Sequence, residues 1–259
     1  MTTKIKFLIR RILCNGFTGN VLASFYNRNI PDIRWKGFRF QLPATGVSKT
    51  NIAAIFWGFY EAAEIRLIEK HLDNNASVIE MGASLGIVTS HIIARLNPGM
   101  KLISVEANPL LVDNINSNMQ KFAKPGIKYQ TLNYAVQYNI PEVLIHISDD
   151  NTESRVGKNA GQSDDAITVK TITLKEIIER ENLENFSLVC DIEGSEIELI
   201  LLDAGSLRKC KKIFIELHDT AYDGKAYTPD EMLHILLNDH GFKMVERQGA
   251  ICCLQNRFN

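Results

Sequence analysis

Val78-Ile79-Glu80-Met81-Gly82-Ala83-Ser84-Leu85-Gly86 decides how this chain is read. An apolar strand ends in a carboxylate, turns on glycines and opens a helix, and glycines at such a turn let a ligand approach the backbone closely. A pyrophosphate-binding turn follows GxGxxG, with a glycine beneath the phosphates, whereas Ser84 holds the middle position here. Glu80 would repel a pyrophosphate and suits a ligand that carries sulfonium and ammonium charge.

Outward from this turn, short apolar strands alternate with amphipathic helices, the pattern of a mostly parallel sheet in an α/β domain. Strands are expected over residues 76–80, 101–106, 186–191 and 212–217, with a helix over 61–68 ahead of them and helices after the first three. Residues 242–247 and 251–254, separated by Gln248-Gly249-Ala250, read as a closing hairpin.

Ligands of open parallel sheets bind at the carboxyl ends of the strands. Val105-Glu106-Ala107-Asn108-Pro109 places a carboxylate one βα unit after the glycine turn, where its two oxygens can accept from two ribose hydroxyls. Asp191-Ile192-Glu193-Gly194-Ser195-Glu196 brings more acids to the same edge, with Glu196 and Ser195 also suited to starting a helix. Ile215-Glu216-Leu217-His218-Asp219 adds a histidine that can take up a proton near neutral pH. The turn and the acids together point to a nucleoside-type ligand, with Glu193, His218 and Asp191 as the candidate catalytic groups.

The 259 residues, 45% of them apolar, suffice for one main core and a small appendage. Residues 1–50 read as an N-terminal cap, with a helix over 4–13 and a hairpin over 35–42, and residues 51–259 as the main domain. Residues 149–165 are polar and glycine-containing, and are expected to form a long loop over the acceptor side of the crevice. A net charge of -1 gives no global attraction for nucleic acid or acidic membranes. No apolar run approaches the roughly 20 residues of a membrane span. Residues 4–13 mix basic and apolar side chains, so they offer either peripheral membrane contact or a docked terminal helix. The five cysteines lack CxxC or zinc spacing, and the histidines form no HExxH pattern; a reducing cytoplasm and no metal are expected.

Gly58-Phe59-Tyr60-Glu61, the glycine turn, the Glu106 strand end, Thr173-Leu174 and the Asp191 to Glu196 run resemble, in order, the FkbM family of methyltransferases. The resemblance implies a class I, Rossmann-like fold with helices flanking the sheet and S-adenosylmethionine as methyl donor. It further implies O-methylation of a small-molecule or saccharide acceptor. It places Glu80, Gly82, Ser84 and Gly86 around the methionine part, Glu106 at the ribose and Ala107 or Asn108 beside the adenine. Glu61, Asp191 and Glu193 fall toward the methyl group. Three positions depart from the family pattern: Glu80 replaces Asp, Val189 stands where Lys precedes the acidic run, and Lys175 follows Thr173-Leu174 in place of Asp. Asp191-Ile192-Glu193-Gly194 also differs from the Asn-Pro-Pro-Tyr of adenine methylation, and no basic stripe is interleaved with aromatics, so nucleic acid is not the expected acceptor. A peptide or lipid-linked acceptor, or a nucleoside-binding partner protein without catalysis, are the alternatives.

Overall fold

The alternating pattern closes into a seven-stranded sheet in the computed structural model, which describes residues 12–26, 32–35, 38–43, 47–146, 155–156 and 166–258. Helix α1 (Gly16–Tyr26) precedes a hairpin of β1 (Asp32–Trp35) and β2 (Phe38–Gln41), then helices α2 (Lys49–Phe56) and α3 (Ala62–His71). The first half of the sheet follows as β3 (Ser77–Met81), α4 (Ile87–Arg95), β4 (Lys101–Glu106), α5 (Pro109–Phe122) and β5 (Lys128–Asn133). A smaller sheet is built from β6 (Ala135–Val136), β7 (Glu142–His146), β8 (Arg155–Val156) and β9 (Ala166–Ile172). The chain then runs through α6 (Leu174–Glu181), β10 (Phe186–Cys190), α7 (Glu196–Leu202), α8 (Ala204–Leu207) and β11 (Cys210–Glu216). A short hairpin of β12 (Thr220–Tyr222) and β13 (Lys225–Tyr227), helix α9 (Pro229–Asn238), β14 (Phe242–Gln248) and β15 (Ile251–Asn256) complete it.

The main sheet has the order β14-β15-β11-β10-β3-β4-β5. Parallel pairs join β5, β4, β3, β10 and β11, and β15 runs antiparallel between β11 and β14. Parallel neighbours need helical crossovers, whereas the tight turn at Gly249, with φ +70°, forces reversal. Both faces are covered, which explains the near-continuous apolar strands. Val78, Leu102, Val189, Phe214 and Cys253 pack toward α3, α4 and α5. Ile79, Ile103, Leu188, Ile213 and Cys252 pack toward α6, α7 and α9. Each fully buried large side chain of this kind contributes about 1.5–3 kcal/mol. Helices start where side chains satisfy free N–H groups: Thr173 with Glu176, and Thr228 with Glu231, form reciprocal caps at α6 and α9.

Strands β3, β4, β10 and β11, the helices after the first three and the closing hairpin follow the sequence expectation to within about two residues. Strand β5 escaped it because an edge strand with Lys128 and Tyr129 exposed carries no apolar run. The N-terminal hairpin begins at Asp32, earlier than expected, and docks on the main domain. Phe38 packs against His91 and Phe122 at centroid distances of 4.3 and 4.9 Å. Asn118 of α5 clamps the Gln41 backbone, accepting its N–H and donating to its carbonyl, each at 2.9 Å. Residues 4–11 of the expected first helix lie outside the described residues. So does the 149–165 loop apart from Arg155–Val156, which pairs with Ile145 and His146. Among the described residues, no helix is long and apolar enough to cross a membrane.

Candidate active site

Gly82 leaves β3 with φ +86°, and a Cβ there would lie 1.8 Å from the Asp191 carbonyl oxygen. Only glycine lets the turn pass so close to the end of β10. The Gly82 and Ala83 N–H groups both donate to the Val105 carbonyl, at 3.0 and 3.1 Å, which ties the turn to β4. Ser84 donates its N–H to Glu106 Oε2 at 2.8 Å, and Asn108 donates its N–H to Oε1 at 2.7 Å. Each carboxylate oxygen keeps a further acceptor position. Burial raises the Glu106 pKa, and the N–H groups of Asn108, Ser84 and Ala107 oppose the rise. Tyr60, from the Gly58–Glu61 element, sets its hydroxyl 3.2 Å from Ser84 Oγ.

These groups face a cavity of ≈ 980 Å³, counting the part open to solvent. Of the residues singled out from the sequence, Glu61, Gly82, Ser84, Glu106, Ala107, Asp191 and Glu193 line it. Glu80, Gly86, Asn108 and His218 do not. Glu80 is 1% exposed beneath the turn, where Ser104 Oγ donates to its Oε2 at 2.6 Å. Burial pushes Glu80 up to about 7; Ser104 and Thr89 oppose this and the charge of Glu106 adds to it. Gly86 starts α4, and Asn108 starts α5 by accepting the Leu110 N–H at 3.0 Å. The other two departures from the family pattern, Val189 and Lys175, lie away from the cavity. Val189 is in the sheet core, and Lys175 is on the surface beside Glu179.

Asp191 and Glu193 follow β10, and His218 follows β11, so adjacent strands bring them together. Glu196, fully buried, accepts from the N–H groups of Ile192 at 3.3 Å and Gly194 at 2.8 Å. Its Oε1 also accepts from His218 Nδ1 at 2.9 Å. Glu196 is therefore more than a first-turn helix acid: it organises the turn and orients the imidazole. Ser195 does not cap α7; its hydroxyl donates to Gln137 Oε1 at 3.0 Å. His218 Nε2 lies 3.8 Å from Asp191 Oδ1 and 3.9 Å from Glu193 Oε2.

The bond to Glu196 is the main reason His218 is raised to about 9, with burial opposing and the charges of Glu196, Asp191 and Glu193 reinforcing it. At neutral pH such an imidazole holds its proton and has no lone pair for another. Burial and the charges of Glu61, Glu216 and Glu193 hold the Asp191 carboxyl well above the usual range, against the opposing effect of His218. Asp191 Oδ1 is buried without a hydrogen-bond partner. Glu64, Glu196 and Glu216 are members of this cluster that the sequence did not single out as site residues. Glu216 stands two residues before His218 at the same strand end, which was its only local signal. Asp191, Glu196 and His218, and separately Glu61, Asp191 and Glu216, bring possible metal-ligand atoms within 4.8 Å of one another.

A seven-stranded sheet with one reversed strand, a glycine turn after β3 and a carboxylate ending β4 define a class I S-adenosylmethionine-dependent methyltransferase. The model of the methyltransferase FkbM domain matches residues 80–244, more than half of the chain, and the chain belongs to this family. Comparison with curated proteins by sequence gave no match. Magnesium protoporphyrin IX methyltransferase from Synechocystis PCC 6803, solved with bound S-adenosylhomocysteine, is 8% identical with a TM-score of 0.44. That likeness covers 95% of this chain and 99% of the other. M. capricolum TrmK, also solved with S-adenosylhomocysteine, is 10% identical with a TM-score of 0.41, covering 74% of this chain and 65% of that one.

The donor set fits S-adenosylmethionine. Glu106 retains acceptor positions suited to ribose hydroxyls, and Glu61, Glu64, Asp191 and Glu193 line the cavity with carboxyl groups that can meet a cationic donor.

Proposed function

We propose that this methyltransferase acts on a hydroxyl oxygen of a saccharide or another small metabolite. The observation that carries the reading is the convergence of Asp191, Glu193 and His218 at the ends of β10 and β11, beside the cavity. Bound S-adenosylmethionine supplies a methyl group already activated on a positively charged sulfur.

A neutral hydroxyl is a weak nucleophile, so the chain must orient it and take its proton. A positioned base typically contributes about 10²- to 10⁴-fold, and orientation several kcal/mol more. Glu193, 50% exposed, is within reach of an acceptor entering from solvent, and we assign it the proton. Asp191 beside it accepts a hydrogen bond from the same or a neighbouring hydroxyl. His218 supplies positive charge next to both acids and becomes a proton acceptor only as pH rises toward about 9.

Carboxylates accept hydrogen bonds and suit a substrate rich in hydroxyl donors. Among the described residues lining the cavity there is no Lys or Arg to receive a phosphate, which disfavours a nucleic-acid acceptor. We also propose that residues 1–50 act as a cap on a catalytic domain of residues 51–259, a division supported by the docking of the hairpin on α4 and α5. The absence of a disulfide among the five cysteines, all of them described, supports a cytoplasmic location.

The test is transfer from methyl-¹³C donor to a panel of neutral saccharides, hydroxylated metabolites, peptides and tRNA. Methoxy carbon signals in the saccharide or metabolite arm are expected. Label confined to amines or to tRNA would sink the proposal.

A further inference from the structure

Glu64 takes no part in the acceptor chemistry above, yet it lies on the wall of the same cavity. It sits in the first turn of α3, one turn after Glu61, whose φ of +45° swings the chain into the helix. Only 3% of Glu64 is exposed. No described residue gives its carboxyl group a hydrogen bond or an ion pair. A buried carboxyl group without such partners is costly, more so when ionised, and helix formation does not require it, since an exposed acid serves the first turn equally well.

The groups facing Glu64 deepen the cost. Glu61 from its own helix start, Asp191 after β10, Glu80 on β3 and Glu216 at the end of β11 all oppose a negative charge there. Cys190 on β10 lies within the same field. The charged groups around the remaining faces of α3 are engaged elsewhere. His91 and Arg95 of α4 approach Glu69, and Glu246 of β14 pairs with Lys70 and His71. Arg66 donates to Gln248. Burial together with these acids holds Glu64 well above the usual carboxylate range, which favours its protonated form in the free enzyme.

We propose that Glu64 is a donor-binding residue: its carboxylate meets the cationic methionine end of S-adenosylmethionine, and its proton leaves as that cation enters. The inference rests on the donor identity given above. It explains why a buried acid stands unpartnered in the cavity: its partner is the ligand. The proton passes to solvent, and the positive charge it represented is replaced by that of the donor, so the net charge of the cavity is preserved.

The test is titration calorimetry of S-adenosylmethionine and S-adenosylhomocysteine into the full-length protein and Glu64→Gln, at neutral pH in two buffers of different ionisation heat. The wild type should release a proton on binding S-adenosylmethionine. Glu64→Gln should release less and bind about 10- to 100-fold more weakly, the effect of losing a charge-assisted contact. Equal weakening of both ligands identifies the ammonium as the partner, and weakening of S-adenosylmethionine alone identifies the sulfonium; either supports the proposal. Glu64→Gln that binds within twofold of the wild type, or that releases the same number of protons, overturns it. Should that variant not fold, wild-type binding without proton release anywhere between pH 5 and 9 overturns it equally. Wild-type protein that binds no S-adenosylmethionine would instead refute the donor assignment.

Discussion

Glu196→Gln removes the buried charge that holds His218, and its consequences can be worked from the geometry. Glu196 Oε1 lies 2.9 Å from His218 Nδ1, and this bond is the largest cause of the rise from 6.5 to about 9. At about 1.4 kcal/mol per pKa unit the full rise corresponds to about 3 kcal/mol, which solvent around the 28% exposed ring reduces to about 1–2 kcal/mol. Glutamine offers one acceptor where the carboxylate serves three N–H groups, so a backbone donor of Ile192 or Gly194 is also left short, at about 1–3 kcal/mol. The folded protein holds the His218 proton more tightly than the unfolded chain does. The stabilisation is therefore complete below about pH 6.5 and is lost as pH rises through about 9. Imidazole titration by NMR, with denaturant melts at pH 6 and 9.5, measures both effects. In the variant, His218 should titrate about one to two units lower and the loss of stability across that window should shrink. A wild-type His218 titrating near 6.5, or an unchanged pKa in Glu196→Gln, would refute the dyad.

Three further outcomes are expected beside the calorimetry of Glu64→Gln. Glu193→Gln should lower kcat by about two to four powers of ten with donor affinity intact; a loss under tenfold, with chemistry shown to limit turnover, removes it as the base. Glu106→Ala should weaken S-adenosylmethionine binding by about 1–3 kcal/mol, and an unchanged dissociation constant would show that ribose is held elsewhere. Gly82→Ala should cost more than about 2 kcal/mol of stability, because its Cβ would sit 1.8 Å from the Asp191 carbonyl oxygen at φ +86°; an unchanged urea midpoint contradicts that packing.

Much of the fold was legible along the chain because its signals are local. A buried parallel strand needs an apolar run and a close turn needs glycine; each appears within a few residues, as at 78–86 and at Gly249. The position of Glu106 at the end of β4 was legible for the same reason, whereas its hold on the backbone N–H groups of Asn108 and Ser84 came only with the structure. The acidic cluster was not. Glu61 and Glu64 at the start of α3, Asp191 after β10 and Glu216 on β11 meet only because β10 inserts between β3 and β11, and sheet order is set by how helices cover both faces. Sequence by itself determined the α/β class, the glycine turn and the carboxylate that ends β4. Tertiary structure alone decided that Glu80 is buried beneath the turn, that Glu196 holds His218 protonated and that Glu64 faces the cavity, because burial and proton affinity depend on neighbours distant in the chain.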